Sequence, residues 1–291
     1  MTDLMNPYAQ CPVEDADLLG DLYDNNSNSR DRADLKALQD ASLAVYADPP
    51  GLHESVRFGQ APWQAFDVFR PASPPCGALV FVHGGRWQLN TSRETAFWAA
   101  SCVAEGRIFI GLNFPQRSQA HLFEQTEAVR QGIEAALDFI RGVGGIGEPR
   151  VCLAGHSSGA HLALAALLSR PVEIGALLLL GGIYDLQPLW RSVHQKELQF
   201  SEAEVRLCSP LQTLAKAARE NRRLALPPTL VAVGSQETSE FVRQSRALHW
   251  ILQHHTDARW HAVEGAAHFD AALLFNAQHS QLRHFALHHG L

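Results

Sequence analysis

The sequence predicts an α/β protein, with a mostly parallel central sheet of about eight strands, helices on both faces and a small lid. Three observations predict it. From Gly77 onward, short runs rich in Val, Leu, Phe and Ile alternate with longer helical segments. The central runs are continuously apolar (ALVFV at 78–82, ALLLL at 176–180, TLVAV at 229–233), as strands covered on both faces require. The chain has 291 residues, 46% of them hydrophobic and 19% charged, which is enough apolar material for a large core and excludes a disordered chain.

Residues 1–50 read as a polar N-terminal arm with one helical stretch, Arg30 to Tyr46, broken by Asp48-Pro-Pro-Gly51. Residues 51–291 read as the main domain. Ser55–Phe58 and Ala65–Phe69, joined by a short turn, predict an antiparallel edge hairpin. Strands follow at Gly77–Val82, Ile108–Leu112, Arg150–Leu153, Gly175–Leu180, Thr229–Val233 and Arg259–Val263. Helices are expected over Arg93–Glu105, Leu122–Arg141, Ser158–Ser169, Ser239–His254 and Asp270–His288. The glycine-rich 142–147 precedes a strand, the reverse of a phosphate-binding loop, and reads as a connector. Residues 185–226 interrupt the alternation and, with the arm, are the expected lid.

Composition narrows the function. Lys and Arg number 24 against 30 Asp and Glu, a net charge of −6, so a nucleic-acid partner is not expected. The N-terminus lacks the basic start and apolar stretch of a signal peptide, and no apolar run approaches the ~20 residues of a membrane helix. Five dispersed cysteines (Cys11, Cys76, Cys102, Cys152, Cys208) read as reduced thiols of a cytoplasmic protein. Cys152, inside the predicted strand Arg150–Leu153, reads as packing. No metal site is expected, since HExxH is absent and His156 and His161 are wrongly spaced to share one.

The chemistry lies at four turns. Gly155-His-Ser157-Ser-Gly159 is a G-x-S-x-G between an apolar strand and an Ala/Leu helix, the setting of a nucleophile elbow. Its glycines permit the strained turn that exposes Ser157. His83-Gly-Gly-Arg-Trp87 directly follows another strand and offers backbone N–H groups opposite that elbow. Gly84 gives this loop its freedom, and Gly85, Arg86 and Ser158 are the expected oxyanion-hole donors. Among 15 histidines, His268 alone sits in a small-residue loop just past the last strand, where the base belongs. Glu237, after the penultimate strand, is the first choice of acid, Asp185 the second, and Glu240 lies one turn into the next helix. The order Ser157, Glu237, His268 is Ser…Asp/Glu…His.

These motifs resemble the α/β-hydrolase superfamily, and within it the kynurenine formamidase (arylformamidase) branch near the hormone-sensitive-lipase-like esterases. HGGRW at 83–87 is similar to that branch's H-G-G-x-W, and GHSSGAHL at 155–162 to its elbow. Gly182-Ile-Tyr-Asp-Leu-Gln-Pro-Leu189 is similar to G-x-[YF]-D-L-x-P, and Glu237–Ser245 to D-S-x-E-F-x-R-Q-S, with Glu237 on the branch's acid. Tyr23-Asp-Asn-Asn-Ser also resembles the branch. Departures are Glu for Asp at 237, Ser158 for Ala, Arg86 for Tyr and Asn113-Phe-Pro for Y-x-L-x-P. Arg86 either binds a substrate carboxylate or faces solvent.

The resemblance implies a serine hydrolase with an acyl-enzyme intermediate and no cofactor. It cleaves N-formylkynurenine or a related N-acyl aryl amine, as in tryptophan catabolism, or alternatively small acyl esters. A non-catalytic protein on this fold would have lost a triad residue, whereas all three positions are filled. Trp87, Phe114 and Trp190 are pocket candidates. The expected partner is a small-molecule substrate, with no nucleic acid and no membrane, and a homodimer is left open.

Overall fold

A computed structural model describes residues 8, 10–25, 29–144 and 151–288. The sheet has eight strands in the order β1-β2-β4-β3-β5-β6-β7-β8. They are β1 (Leu52–Arg57), β2 (Ala65–Arg70), β3 (Gly77–Val82), β4 (Arg107–Leu112), β5 (Val151–His156), β6 (Ala176–Leu180), β7 (Thr229–Gly234) and β8 (Ala258–Val263). β1 and β2 form the antiparallel hairpin, β2 pairs antiparallel with β4, and the remaining pairings are parallel. This is the mostly parallel eight-stranded sheet, with helices on both faces, that the alternation predicts.

Strand residues alternate between two cores. Ala78, Val80 and Val82 face one layer, with Ile133, Leu162, Leu248 and Ile251. Leu79 and Phe81 face the other, with Leu38, Cys102, Phe275 and Phe285. Burial on both faces explains the unbroken apolar runs. β1, at the edge, is mostly exposed and carries Glu54 and Arg57, charges that discourage pairing with another chain.

Twelve α-helices cover the described residues. The arm carries α1 (Ala16–Asp21) and α2 (Ser29–Ala47), and α3 (Ala99–Ala104) precedes β4. α4 (Leu122–Val143) leads to β5, and α5 (Ser158–Ser169) leaves it. The 185–226 segment forms α6 (Gln187–Arg191), α7 (Gln195–Leu198), α8 (Glu202–Leu207) and α9 (Pro210–Arg219). The C-terminal part has α10 (Ser239–Leu252), α11 (His268–Leu273) and α12 (Gln281–His288). None is long and apolar enough to cross a membrane among the described residues.

Four expectations need correction. α1 was not foreseen; Asp15 starts it by accepting the N–H groups of Asp17 and Leu18, each at 3.0 Å. Arg93–Glu105 is not one helix. Thr91 and Glu94 cap a single 3-10 turn at Ser92–Glu94, then Phe97 and Trp98 turn into the core, Trp98 stacking on Phe275 at 4.1 Å. The helix predicted over Asp270–His288 is also broken, because Ala277 is extended after a 3-10 turn at Leu274–Asn276. β1 begins at Leu52, three residues early, because its pairing with β2 runs on to Arg70. Gly144, with φ 75°, ends α4, and the rest of the predicted connector lies outside the described residues.

Candidate active site

Ser157 stands between β5 and α5 with φ 57° and ψ −128°, a backbone strain that L-residues rarely adopt. Its N–H donates to the carbonyl of Leu180 at 2.9 Å, fixing the turn to the end of β6. The two motif glycines answer to crowding. A Cβ on Gly159 would overlap the carbonyls of Val82 and His83, and one on Gly155 would lie 2.7 Å from the Ala160 nitrogen.

The loop after β3 packs against this elbow. A Cβ on Gly84 would lie 2.9 Å from both the His156 carbonyl and the Ser157 Cβ. Gly85, Arg86 and Trp87 all have positive φ, at 123°, 54° and 61°. The Gly84 carbonyl accepts from His83 Nδ1 at 2.8 Å and from Asn90 Nδ2 at 3.2 Å. In a trans peptide the Gly85 N–H then points the opposite way. The Ser158 Oγ accepts the Trp87 N–H at 3.2 Å and ties the two loops together.

Glu237 and His268 meet over the ends of β7 and β8. His268 Nδ1–H donates to Glu237 Oε2 at 2.6 Å, and both residues are buried. The other oxygen, Oε1, accepts the Gly234 N–H at 2.9 Å. Gly181, which the sequence reading missed, lies against this pair. Its φ is 52°, and a Cβ there would sit 2.8 Å from Glu237 Oε1 and 3.2 Å from His268 Nδ1. The available signal was a glycine directly after the apolar run of β6.

The other acids are placed elsewhere. Asp185 accepts the Gln187 N–H at 3.1 Å and the Gln212 amide at 3.2 Å, so it ties the turn before α6 to the 185–226 segment. Burial raises its carboxyl. Glu240 is buried and paired with Arg243, with Nε to Oε1 at 2.5 Å, and accepts the Tyr23 hydroxyl at 2.9 Å.

Ser157 borders two chambers. The larger, about 140 Å³, is shared with Gly84, Gly85 and His268 and has an apolar wall of Leu35, Leu38, Leu89, Phe97 and Phe269. The smaller, about 30 Å³, lies among Trp87, Ile183, Leu198 and Phe241. Arg86 borders both, but its Nη2 donates to the Tyr23 carbonyl at 2.9 Å and lies 4.0 Å from Asp24 Oδ1, so the guanidinium is tethered to the arm.

Of the three aromatic pocket candidates, Trp87 alone reaches these chambers. Phe114 stacks on His83 at 4.3 Å and borders a separate open cleft. Trp190 donates to the Phe200 carbonyl at 3.1 Å inside the 185–226 segment. Among the described residues no group of three or more His, Cys, Asp or Glu side chains is placed to hold a metal. Cys152 is buried, and burial pushes its thiol up to about 12.

Three histidines around the site are structural. His156 donates through Nε2 to the His268 carbonyl at 3.0 Å. His161 accepts the Trp87 indole N–H at 3.1 Å on Nδ1 and donates to the Cys208 carbonyl at 2.7 Å. His83 holds the Gly84 carbonyl. Burial lowers them to about 3, about 4 and about 4 respectively. An unfolded histidine titrates near 6.5, so between about pH 6.5 and 4 the unfolded chain binds protons that the folded chain refuses. Stability is therefore expected to fall as pH drops through that window, by up to about 1.4 kcal/mol per pH unit for each histidine. The raised carboxyl of Asp185 opposes this in part. Urea unfolding at pH 7.5 and 5.0 checks it, and a midpoint unchanged at pH 5.0 contradicts the account.

A family model described as BD-FAE matches residues 66–177. The kynurenine formamidase of Danio rerio is 26% identical over 206 residues, 68% of this chain and 68% of that protein. The isoprenylcysteine alpha-carbonyl methylesterase of Arabidopsis thaliana is 26% identical over 233 residues, 69% of this chain and 52% of that protein. A crystal structure of a candidate thioesterase from Silicibacter sp. superposes with a TM-score of 0.76 at 21% identity, covering 92% of this chain and 98% of the other.

Proposed function

We propose, from the premise that the chain is an α/β-hydrolase of the arylformamidase and esterase branch, that it is a serine hydrolase of short N-acyl aryl amines, N-formylkynurenine first. Ser157 attacks the carbonyl carbon while His268 takes its proton. Glu237 keeps the His268 Nδ1 protonated, so that Nε2 is free to act as base. The N–H groups of Gly85, Arg86 and Ser158 receive the developing oxyanion. His268 then protonates the leaving amine, and water cleaves the acyl-enzyme by the same route in reverse. The Glu237–His268 hydrogen bond supports this division of roles, as does the tight seating of the Gly84 loop on the elbow.

One observation carries the substrate class. The chamber of about 30 Å³ beside Ser157 has room for roughly two water-sized groups, which suits a formyl or acetyl group. The larger chamber, with its apolar wall, suits an aromatic leaving group. A short-chain carboxylesterase is the second reading, favoured by the similarity to the Arabidopsis methylesterase, and it uses the same residues.

Two measurements test the reading. Along a series of p-nitrophenyl esters, kcat/KM is expected to fall by roughly 100-fold from acetate to hexanoate, because overfilling a small packed site costs about 1–3 kcal/mol. A flat series removes the small-acyl assignment. A preference of several decades for p-nitrophenyl acetate over N-formylkynurenine removes the amide in favour of the ester.

A further inference from the structure

Resting on the triad proposed above, we propose that Arg30 in the N-terminal arm is a positioning residue for the acid–base pair, clamping the turn that carries Glu237 to the turn that carries His268. The two turns extend past the last sheet pairing, Gly234 with Val263. Beyond it they share a few bonds of their own, such as Gln236 N–H to the Ala266 carbonyl at 2.8 Å and Gly265 N–H to Ser235 Oγ at 2.9 Å.

Arg30 spans both turns from outside. Its Nη1 donates to Gln236 Oε1 at 2.6 Å, one residue before Glu237. Its Nη2 donates to the Gly265 carbonyl at 3.0 Å and to Asp270 Oδ2 at 2.7 Å. The second oxygen of Asp270 accepts the Ala267 N–H at 2.5 Å, which caps α11 at the residue before His268. A planar guanidinium fork suits such a three-point contact, and an ammonium cannot reproduce it.

The arm grips the acid turn at two further points. Thr238 donates to the Leu22 carbonyl, and Tyr23 donates to Glu240 at 2.9 Å. Residues 236, 238 and 240, on both sides of Glu237, are thus each held by a different arm residue. Arg30 is exposed, so its ion pair adds little to stability. What it controls is the placement of His268 against Glu237, where a shift of a fraction of an ångström slows proton transfer.

The test uses the full-length chain. Arg30→Ala is expected to lower kcat on p-nitrophenyl acetate by roughly tenfold, with KM within about twofold and Tm within about 3 °C. A less firmly held Glu237 stabilises the imidazolium less, so the acid limb of the kcat/KM profile moves to lower pH. Arg30→Lys is expected to recover part of kcat and part of that displacement. Gln236→Ala, which removes the same contact from the other side, is expected to move both in the same direction.

Unchanged kcat and an unmoved acid limb in Arg30→Ala and Gln236→Ala overturn the proposal. So does a kcat loss matched by an equal loss of folded protein. Ser157→Ala measured alongside separates the two levels. Activity surviving in it takes down the serine mechanism and this proposal together, whereas an inactive Ser157→Ala beside an unaffected Arg30→Ala takes down only the role of Arg30.

Discussion

Ser157→Ala is expected to lower kcat by roughly a millionfold on amide and ester substrates alike, leaving only what oxyanion contacts and binding contribute. The loss is chemical, not structural. The bond that fixes the turn runs from the Ser157 backbone N–H to the Leu180 carbonyl and survives the substitution. The positive φ of 57° is as strained for Ala as for Ser, so Tm is expected to move by only a few degrees. A fluorophosphonate probe adds a direct readout: it is expected to label wild-type protein at Ser157 and leave the variant unlabelled. Labelling elsewhere, or activity retained in the variant, would remove Ser157 as the nucleophile.

Much of this was written locally in the chain. Ser158–Ser169 forms a helix with the bounds the sequence predicts, because a Gly-rich turn starts it and an unbroken Ala/Leu run sustains it. The central strands β3 and β6 were legible because burial on both faces leaves no polar residues to blur them. The contact between Glu237 and His268 follows from their positions just past the ends of β7 and β8. The illegible features are those created by contact between distant segments. Nothing near Gly181 in sequence reveals that a carboxylate and an imidazole will lie against it. Nothing near Arg30 reveals Gln236 or Asp270. The hydroxyl of Ser158 reads as incidental until the fold brings the Trp87 N–H to it. The broken helices failed for a related reason, since Trp98 is drawn out of helical register by Phe275, far along the chain.

The acid offers the sharpest contrast between two carboxylates, Glu237 fully buried and Asp185 partly so. Glu237→Gln is expected to lower kcat by roughly 10⁴-fold. The reason lies in how the new amide must orient. Oε1 of Glu237 accepts the Gly234 N–H, so a glutamine places its carbonyl oxygen there and turns its NH₂ toward His268 Nδ1. That NH₂ can only donate, which forces the proton of His268 from Nδ1 to Nε2. In that tautomer Nε2 has no lone pair to take the Ser157 proton, so the base is lost while the packing against Gly181 is preserved. Asp185→Asn faces no such conflict. The oxygen that accepts from Gln187 and Gln212 is retained as an amide carbonyl, so both bonds persist and kcat is expected to stay within about threefold. Steady-state kinetics on the two purified variants, with Tm as the control for folding, decides between them. A large loss in Asp185→Asn beside a mild one in Glu237→Gln would transfer the role of acid to Asp185.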